Sequence, residues 1–278
     1  MSSESTDDWV LATRQGPVFN IQFNRGESRN PLGGPMVKAL SRAVQEAAQL
    51  PEVRVILFTA AGPAFSAGGN LGNINDRLNE PAGADGIDPI AAGNRLYGDF
   101  LTQLVQQPKT TVASVHGAAM GGGAGLVCAV DIAIGSPAAK FGFPEASIGL
   151  LAGQILPFVA ARLGLQAARR LMLTGQRIDA AEAFRIGLLD YLSSSPESLP
   201  SKTQEVLQYI VATAPQASAL TKRMLGSLPL APLPGNAALP AYLDSASVLF
   251  ASQMRTEAVE GVTAAREKRP ASWNHLPT

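Results

Sequence analysis

Two glycine-containing turns and one carboxylate are the residues of this chain whose types and spacing suit chemistry. The longer turn is Val115-His116-Gly117-Ala118-Ala119-Met120-Gly121-Gly122-Gly123-Ala124-Gly125, set between a strand-like run, Thr110 to Val115, and an apolar stretch, Leu126 to Val130. A strand that passes through glycines into a helix leaves the first backbone N–H groups without intrahelical partners. The helix dipole adds partial positive charge there, so the spot suits an anion or a developing oxyanion. The second turn, Phe65-Ser66-Ala67-Gly68-Gly69-Asn70-Leu71, follows another strand-like run, Val53 to Thr59. Two such turns beside neighbouring strands can aim two N–H groups at one oxygen, as an enolate or a tetrahedral oxyanion requires. The carboxylate is Glu145, in Lys140-Phe141-Gly142-Phe143-Pro144-Glu145-Ala146. It stands after a short strand among Phe141, Phe143 and Ile148, where burial would raise its pKa toward the range of a general acid/base.

Each feature alone has a plainer reading. A glycine run also serves tight packing, a carboxylate after a proline is by default a solvated turn residue, Asp131 reads as a structural cap or ion-pair partner, and His116 reads as a packed histidine. Arg25 and Arg29 either face water or meet a phosphate. Several chemistries are excluded by what is missing. The chain has two histidines, no H-E-x-x-H and one cysteine, Cys128, so metal-type spacing and an intramolecular disulfide are both ruled out. No Gly-Lys dipeptide occurs, and G-x-G-x-x-G fails because its third glycine would fall on Leu126 or Cys128. No G-x-S-x-G elbow is present either.

The elements that position these residues follow from periodicity. Trp9 to Thr13 and Val18 to Phe23 read as a strand pair joined at Gln15-Gly16-Pro17, and Met36 to Leu50 carries helical spacing. Val53 to Thr59 reads as a buried strand and Ala60 to Asn75 as a loop. Arg77 to Asn94 reads as a mobile segment, and Arg95 to Gln107 as a helix. Short strands are expected at Ile132 to Ile134 and Lys140 to Phe143. Helices follow at Ile155 to Leu163, Gln166 to Leu173, Ala180 to Ile186, Thr203 to Thr213 and Ala217 to Leu225. Breaks fall at Ser193 to Pro200 and Leu228 to Pro240. Alternation followed by helices predicts an α/β core over residues 1–200 and a helical C-terminal region over 201–278. The 278 residues are 46% hydrophobic with zero formal net charge, so no basic surface for nucleic acid or membrane is expected. The first residues lack a signal-peptide pattern and no apolar run is long enough for a bilayer; a soluble, cytoplasmic protein is expected.

F-S-A-G-G-N-L, then H-G-x-x-x-G-G-G, then A-A-K-F-G-F-P-E together resemble the enoyl-CoA hydratase/isomerase, or crotonase, superfamily. Asn24-Arg25-Gly26-Glu27-Ser28-Arg29-Asn30-Pro31-Leu32, Leu173-Thr174-Gly175-Gln176-Arg177-Ile178-Asp179-Ala180 and Glu267-Lys268-Arg269-Pro270 extend the likeness over nearly the whole chain. The resemblance implies a spiral of β-β-α turns with a helical C-terminal trimerisation region, and trimers or hexamers. It implies that Gly69 and Gly122 supply the N–H donors for a thioester oxygen. Ser28, Arg29, Ala67, Asn70 and Leu71 would contact coenzyme A, which is part of the substrate, with no separate cofactor. One departure stands out: the position of a second catalytic glutamate in two-glutamate hydratases is Gly125 here. Single-glutamate relatives include Δ3,Δ2-enoyl-CoA isomerases. The text around Gly121 and Glu145, with its A-x-x-I-x-P-F-V ending, is more similar to a branched-chain subgroup. That subgroup acts on 3-methylglutaconyl-CoA and isohexenylglutaconyl-CoA in leucine and acyclic-terpene breakdown. The expected activity is therefore hydration of a branched or glutaconyl-type enoyl-CoA. A single-glutamate isomerase and a non-catalytic acyl-CoA-binding protein are the alternatives. In a hydratase the second partner of the water is left open between a substrate carboxylate, a side chain from Ile74 to Tyr97, and another water.

Overall fold

The computed structural model describes residues 5–7, 9–70, 86, 88–213, 215–227 and 239–269. Two sheets wind around one another. The larger has β1 (Ser5–Asp7), β2 (Val10–Gln15), β3 (Val18–Phe23), β4 (Val55–Ala60), β6 (Thr110–Val115), β8 (Ile132–Gly135) and β11 (Tyr191–Leu192), in that spatial order. The smaller has the order β10 (Arg177–Asp179), β9 (Lys140–Gly142), β7 (Ala118–Met120), β5 (Ala64–Ser66). After the antiparallel β1-β2-β3 meander, neighbours in the larger sheet are parallel. Helices α1 (Gly34–Gln49), α2 (Pro89–Gln106), α3 (Gly122–Ala129) and α4 (Leu156–Thr174) separate the windings. Each winding lays one strand in each sheet and then a helix: β4-β5-α2, β6-β7-α3, β8-β9-α4. This is the expected β-β-α spiral.

The elements follow their residues. In β3 the alternation puts Phe19, Ile21 and Phe23 inside, whereas Val55, Ile56, Leu57 and Phe58 of β4 are all buried because both faces of that strand are covered. One cover is the spiral interior, where the Phe23 and Phe65 rings lie 5.1 Å apart. The other is α6 (Leu199–Val211), whose Val206, Leu207 and Ile210 pack on Val55, Leu57, Val112 and Ile134. α5 (Ala180–Arg185) follows β10, and α7 (Pro215–Ser227), α8 (Leu239–Met254) and α9 (Glu257–Arg266) close the described chain. Asp131 is structural: its Oδ2 accepts from Thr111 N–H and Oγ1 at 2.8 Å and pairs with Lys222 of α7 at 2.7 Å. Cys128 is buried, and its thiol pKa is pushed up to about 12 by loss of solvent.

Several sequence readings are corrected. Ala60 to Asn75 contains β5, and the glycine run contains β7. Strands of only three residues carry no legible period. Part of the segment read as mobile, Pro89 to Asn94, is the first turn and a half of α2. Asp88 caps that helix, accepting from Ile90 N–H at 2.8 Å, and Pro89 occupies its first position. The remainder of that segment apart from Gly86 and Asp88, and most of the break at 228–240, lie outside the described residues. Leu199 and Pro200 begin α6 rather than ending a break, and Leu239 and Pro240 begin α8.

α8 lies along α2. Asp88 pairs with Arg255 just beyond α8, and Arg95 Nε lies 2.8 Å from Asp244. The same Arg255 holds the Asp88 carboxyl below its ordinary pKa. Gln154 donates from Nε2 to the Leu243 carbonyl at 2.8 Å, fixing α8 from the other side.

Candidate active site

The register of the small sheet brings the sequence motifs together. β5 pairs in parallel with β7 through Ser66 and Ala119, and β7 with β9 through Met120 and Gly142. The residues that leave the carboxyl ends of these strands are therefore neighbours: Ala67 to Asn70, Gly121 to Gly122, and Phe143 to Glu145. Ligand crevices form at the carboxyl ends of parallel strands for this reason. The strands that launch the two glycine turns are thus β5 and β7, not the longer β4 and β6 to which the sequence pointed.

The turns touch through backbone. Gly68 has φ +87°, and a Cβ there would lie 2.6 Å from the Met120 carbonyl oxygen and 3.4 Å from Gly122 N. Gly121 (φ +51°) caps α3, donates its N–H to the Gly142 carbonyl at 2.8 Å, and has Glu145 Oε1 2.6 Å from where its Cβ would be. Only a glycine permits that approach of the carboxylate. Gly122, as the first residue of α3, has no i−4 carbonyl for its N–H. Neither the Gly122 nor the Gly69 N–H donates in a hydrogen bond among the described residues.

Gly69, Gly122 and Glu145 line one cavity of about 160 Å³. Its walls come from Leu32 and Val37 on one side, α2 (Ile90, Asn94, Tyr97) above, and Ile148, Leu150, Phe250 and Met254 at the apolar end. Burial raises Glu145 from 4.5 to about 7, partly offset by its own backbone N–H, and its Oε2 is buried without a partner. Tyr97 donates its hydroxyl to the Gly122 carbonyl at 2.6 Å. Its pKa lies well above 10, first through desolvation and then through the Glu145 charge, so it stays a neutral donor. Asn94, one turn before Tyr97, presents a buried, unpaired Oδ1.

Gly125 is sealed. A Cβ there would lie 2.3 Å from Ile155 Cγ2 and 2.7 Å from Ile155 Cβ, so this position has no room for a second carboxylate.

Among the residues expected to contact coenzyme A, Ala67 and Asn70 line the cavity, while Ser28 and Arg29 are exposed outside it. Arg29 is nonetheless adjacent, since its carbonyl accepts the Ala67 N–H at 2.8 Å. Ser28 Oγ donates to the Arg25 carbonyl at 3.1 Å, and Leu71 lies outside the described residues. The Arg25 guanidinium stacks over Trp9 at 4.5 Å. His116 is half-buried rather than packed in the core, and its Nε2 donates to the Gly62 carbonyl at 2.9 Å. Asn94, Tyr97, Phe250 and Met254 were not singled out from the sequence. Asp88-Pro89 as a cap and first helical residue, and the spacing of Leu243, Ser247, Phe250 and Met254, were the signals available.

The Glu145 environment predicts a pH-dependent stability. A carboxyl raised by burial contributes stability that is fully present below its unfolded pKa, near 4.5, and is lost as pH rises through about 7. Glu145→Gln removes that loss. At pH 8 the variant is expected to exceed the parent by roughly 3 kcal/mol, and at pH 4 by about zero. Urea unfolding at both pH values checks it; equal differences at the two would contradict a buried, ionising Glu145.

Residues 13–276 match the family described as enoyl-CoA hydratase/isomerase. An enoyl-CoA hydratase/isomerase structure from Marinobacter aquaeolei is 36% identical, with a TM-score of 0.75 over 96% of this chain and 99% of that one. Pseudomonas aeruginosa AtuE is 35% identical, with a TM-score of 0.75 over 96% and 100%. A short-chain-enoyl-CoA hydratase from Clostridium acetobutylicum is 30% identical over 78% of this chain and 80% of its own length. A β-β-α spiral whose strand ends carry the motifs in the family's order over 13–276 leaves one assignment: the chain belongs to the enoyl-CoA hydratase/isomerase (crotonase) family.

Proposed function

We propose that the protein hydrates the C2=C3 double bond of a 2-enoyl-CoA thioester. The observation that carries this reading is Glu145, the one carboxylate among the described residues lining the cavity, held near pKa 7 where Gly69 and Gly122 present N–H groups unused among those residues. These N–H groups receive the thioester oxygen. Water adds to C3 as Glu145 takes its proton, and the π electrons move to the thioester oxygen as an enolate. Glu145 then delivers the proton to C2 and returns to its starting form, so water and enoyl thioester give a 3-hydroxyacyl thioester. A base of pKa near 7 exchanges protons efficiently in both directions at neutral pH.

The acyl group we assign is apolar, from the lining of the cavity, and branched, from the similarity of the motifs around Gly121 and Glu145 to the branched-chain subgroup. Ile90, Ile148, Leu150, Phe250 and Met254 form that end of the cavity, and no Lys, Arg or His stands among the described residues lining it. A glutaconyl-type thioester carries a second carboxylate, which needs a counter-charge when desolvated. A panel of linear, 3-methyl-branched and glutaconyl-type enoyl-CoA thioesters tests the assignment. Highest kcat/KM on the neutral branched members is expected, and preference for the glutaconyl members would overturn it.

The second reading is Δ3,Δ2-enoyl-CoA isomerisation, favoured by the seal that Ile155 places over Gly125. One carboxylate suffices to move a proton from C2 to C4. A 3-enoyl thioester in heavy water separates the readings, because isomerisation yields a conjugated product without added oxygen.

A further inference from the structure

A one-carboxylate site that hydrates an alkene has an unanswered requirement. The attacking water has two hydrogens. Glu145 accepts one, and a water held at one point still rotates about that bond. Much of the rate advantage of a bound nucleophile comes from fixing its direction, so the second hydrogen needs its own acceptor. In this chain the acceptor cannot come from position 125, where Ile155 occupies the space.

Among the described residues, three side-chain oxygens of cavity-lining residues are buried without partners: Glu145 Oε2, Asn94 Oδ1 and Gln154 Oε1. Gln154 is accounted for by packing. Its amide bonds to Leu243 on α8, and its Oε1 lies 1.9 Å from where a Cβ at Gly98 would stand, so it faces the backbone of α2. Asn94 has no such explanation. It sits on the cavity side of α2, one turn before Tyr97, and Tyr97 both bonds to the Gly122 carbonyl and lies near enough to Glu145 for its charge to raise the phenol's pKa. An unpaired buried amide oxygen costs about 1–3 kcal/mol, which a folded chain rarely tolerates without use. A neutral acceptor also suits this place better than a second carboxylate, because it leaves the titration of Glu145 undisturbed.

We infer that Asn94 Oδ1 is the second acceptor of the nucleophilic water, which it holds with Glu145 Oε2 so that a lone pair faces C3 of the substrate. The inference rests on the hydration reading above. Asn94 touches the reacting water and takes no proton from it; the proton goes to Glu145 and then to C2.

The test is steady-state hydration of a neutral 2-enoyl-CoA by the parent, Asn94→Leu and Asn94→Asp, with thermal melting of each. Leucine keeps the volume and removes the acceptor, whereas aspartate keeps an oxygen. The expected result for Asn94→Leu is a fall in kcat of about 10²-fold with KM within about threefold. Asn94→Asp is expected to recover to within about tenfold of the parent above pH 7. If Asn94→Leu does not fold, Asn94→Ala replaces it with the same expectation. A parent that hydrates while the truncated variant keeps its kcat overturns the role of Asn94 and leaves the hydratase reading standing. So does a loss confined to KM, or one that aspartate does not restore. A parent that does not hydrate overturns both.

Discussion

Glu145→Gln is expected to lower kcat for hydration by about 10³-fold while the protein remains folded. The carboxylate is the sole acid among the described residues lining the cavity, and its oxygen stands over the bare backbone of Gly121. Glutamine keeps the shape and cannot exchange the proton. The parent should also show a kcat/KM that rises with pH and levels off above about 7, because the free enzyme must carry the ionised carboxylate to accept from water. The variant's residual activity should be flat over that range. A folded Glu145→Gln enzyme with parental turnover would remove Glu145 from the chemistry and overturn the one-carboxylate mechanism.

Gly122→Pro is the second substitution with a large expected effect. Position 122 is the first residue of α3, where proline is conformationally at home and its missing N–H breaks no helical bond. Its ring removes the donor aimed at the thioester oxygen, so kcat/KM should fall by about 10²–10³-fold. Sterically the site is tight and not closed: a Cβ at Gly122 would lie 3.3 Å from Leu32 Cδ1 and 3.4 Å from Tyr97 Cε1. Gly122→Ala meets the same neighbours and keeps the N–H. The difference between the two variants therefore reports the loss of the N–H together with the ring carbon that replaces it. If alanine and proline lose activity equally, the effect is crowding and the N–H is not the oxyanion donor.

The reacting residues were legible because they answer local demands. Gly68 and Gly121 must take positive φ and admit another group's atoms, and only glycine does so cheaply. Glu145 stands out as a carboxylate among phenylalanines. The strand and helix alternation was legible through β3, β4 and β6, whose apolar runs are long enough to show a pattern, whereas the β-β-α spiral came from the family resemblance. β5 and β7 were not legible, being three residues each and held by pairing with their neighbours, whereas β9 was expected as a short strand. The register that joins the three loops is a property of those pairings, which no single segment encodes. Asn94 and Tyr97 lay within the Ile74 to Tyr97 stretch considered for the water's second partner but were not singled out, because Gly93 and Gly98 interrupt the apolar stripe of α2 and their significance arises only when α2 is laid over α3. Phe250 and Met254 belong to a helix whose place over the cavity depends on Asp88, Arg95 and Gln154, all distant in sequence.

The contact between Gly125 and Ile155 bears on how such a site can change over generations. Adding a carboxylate at 125 drives its Cβ to 2.3 Å from Ile155 Cγ2, and overpacking of a core of this kind costs about 1–3 kcal/mol. Trimming Ile155 first leaves a void, with a penalty of about 2–5 kcal/mol for an isoleucine cut to alanine. Each step alone is harmful, and the two together relieve one another, since the new side chain fills the space the old one vacates. A lineage with this pair in place is therefore separated from two-carboxylate chemistry by a fitness valley, and selection acts more easily on the substrate end of the cavity than on its catalytic complement.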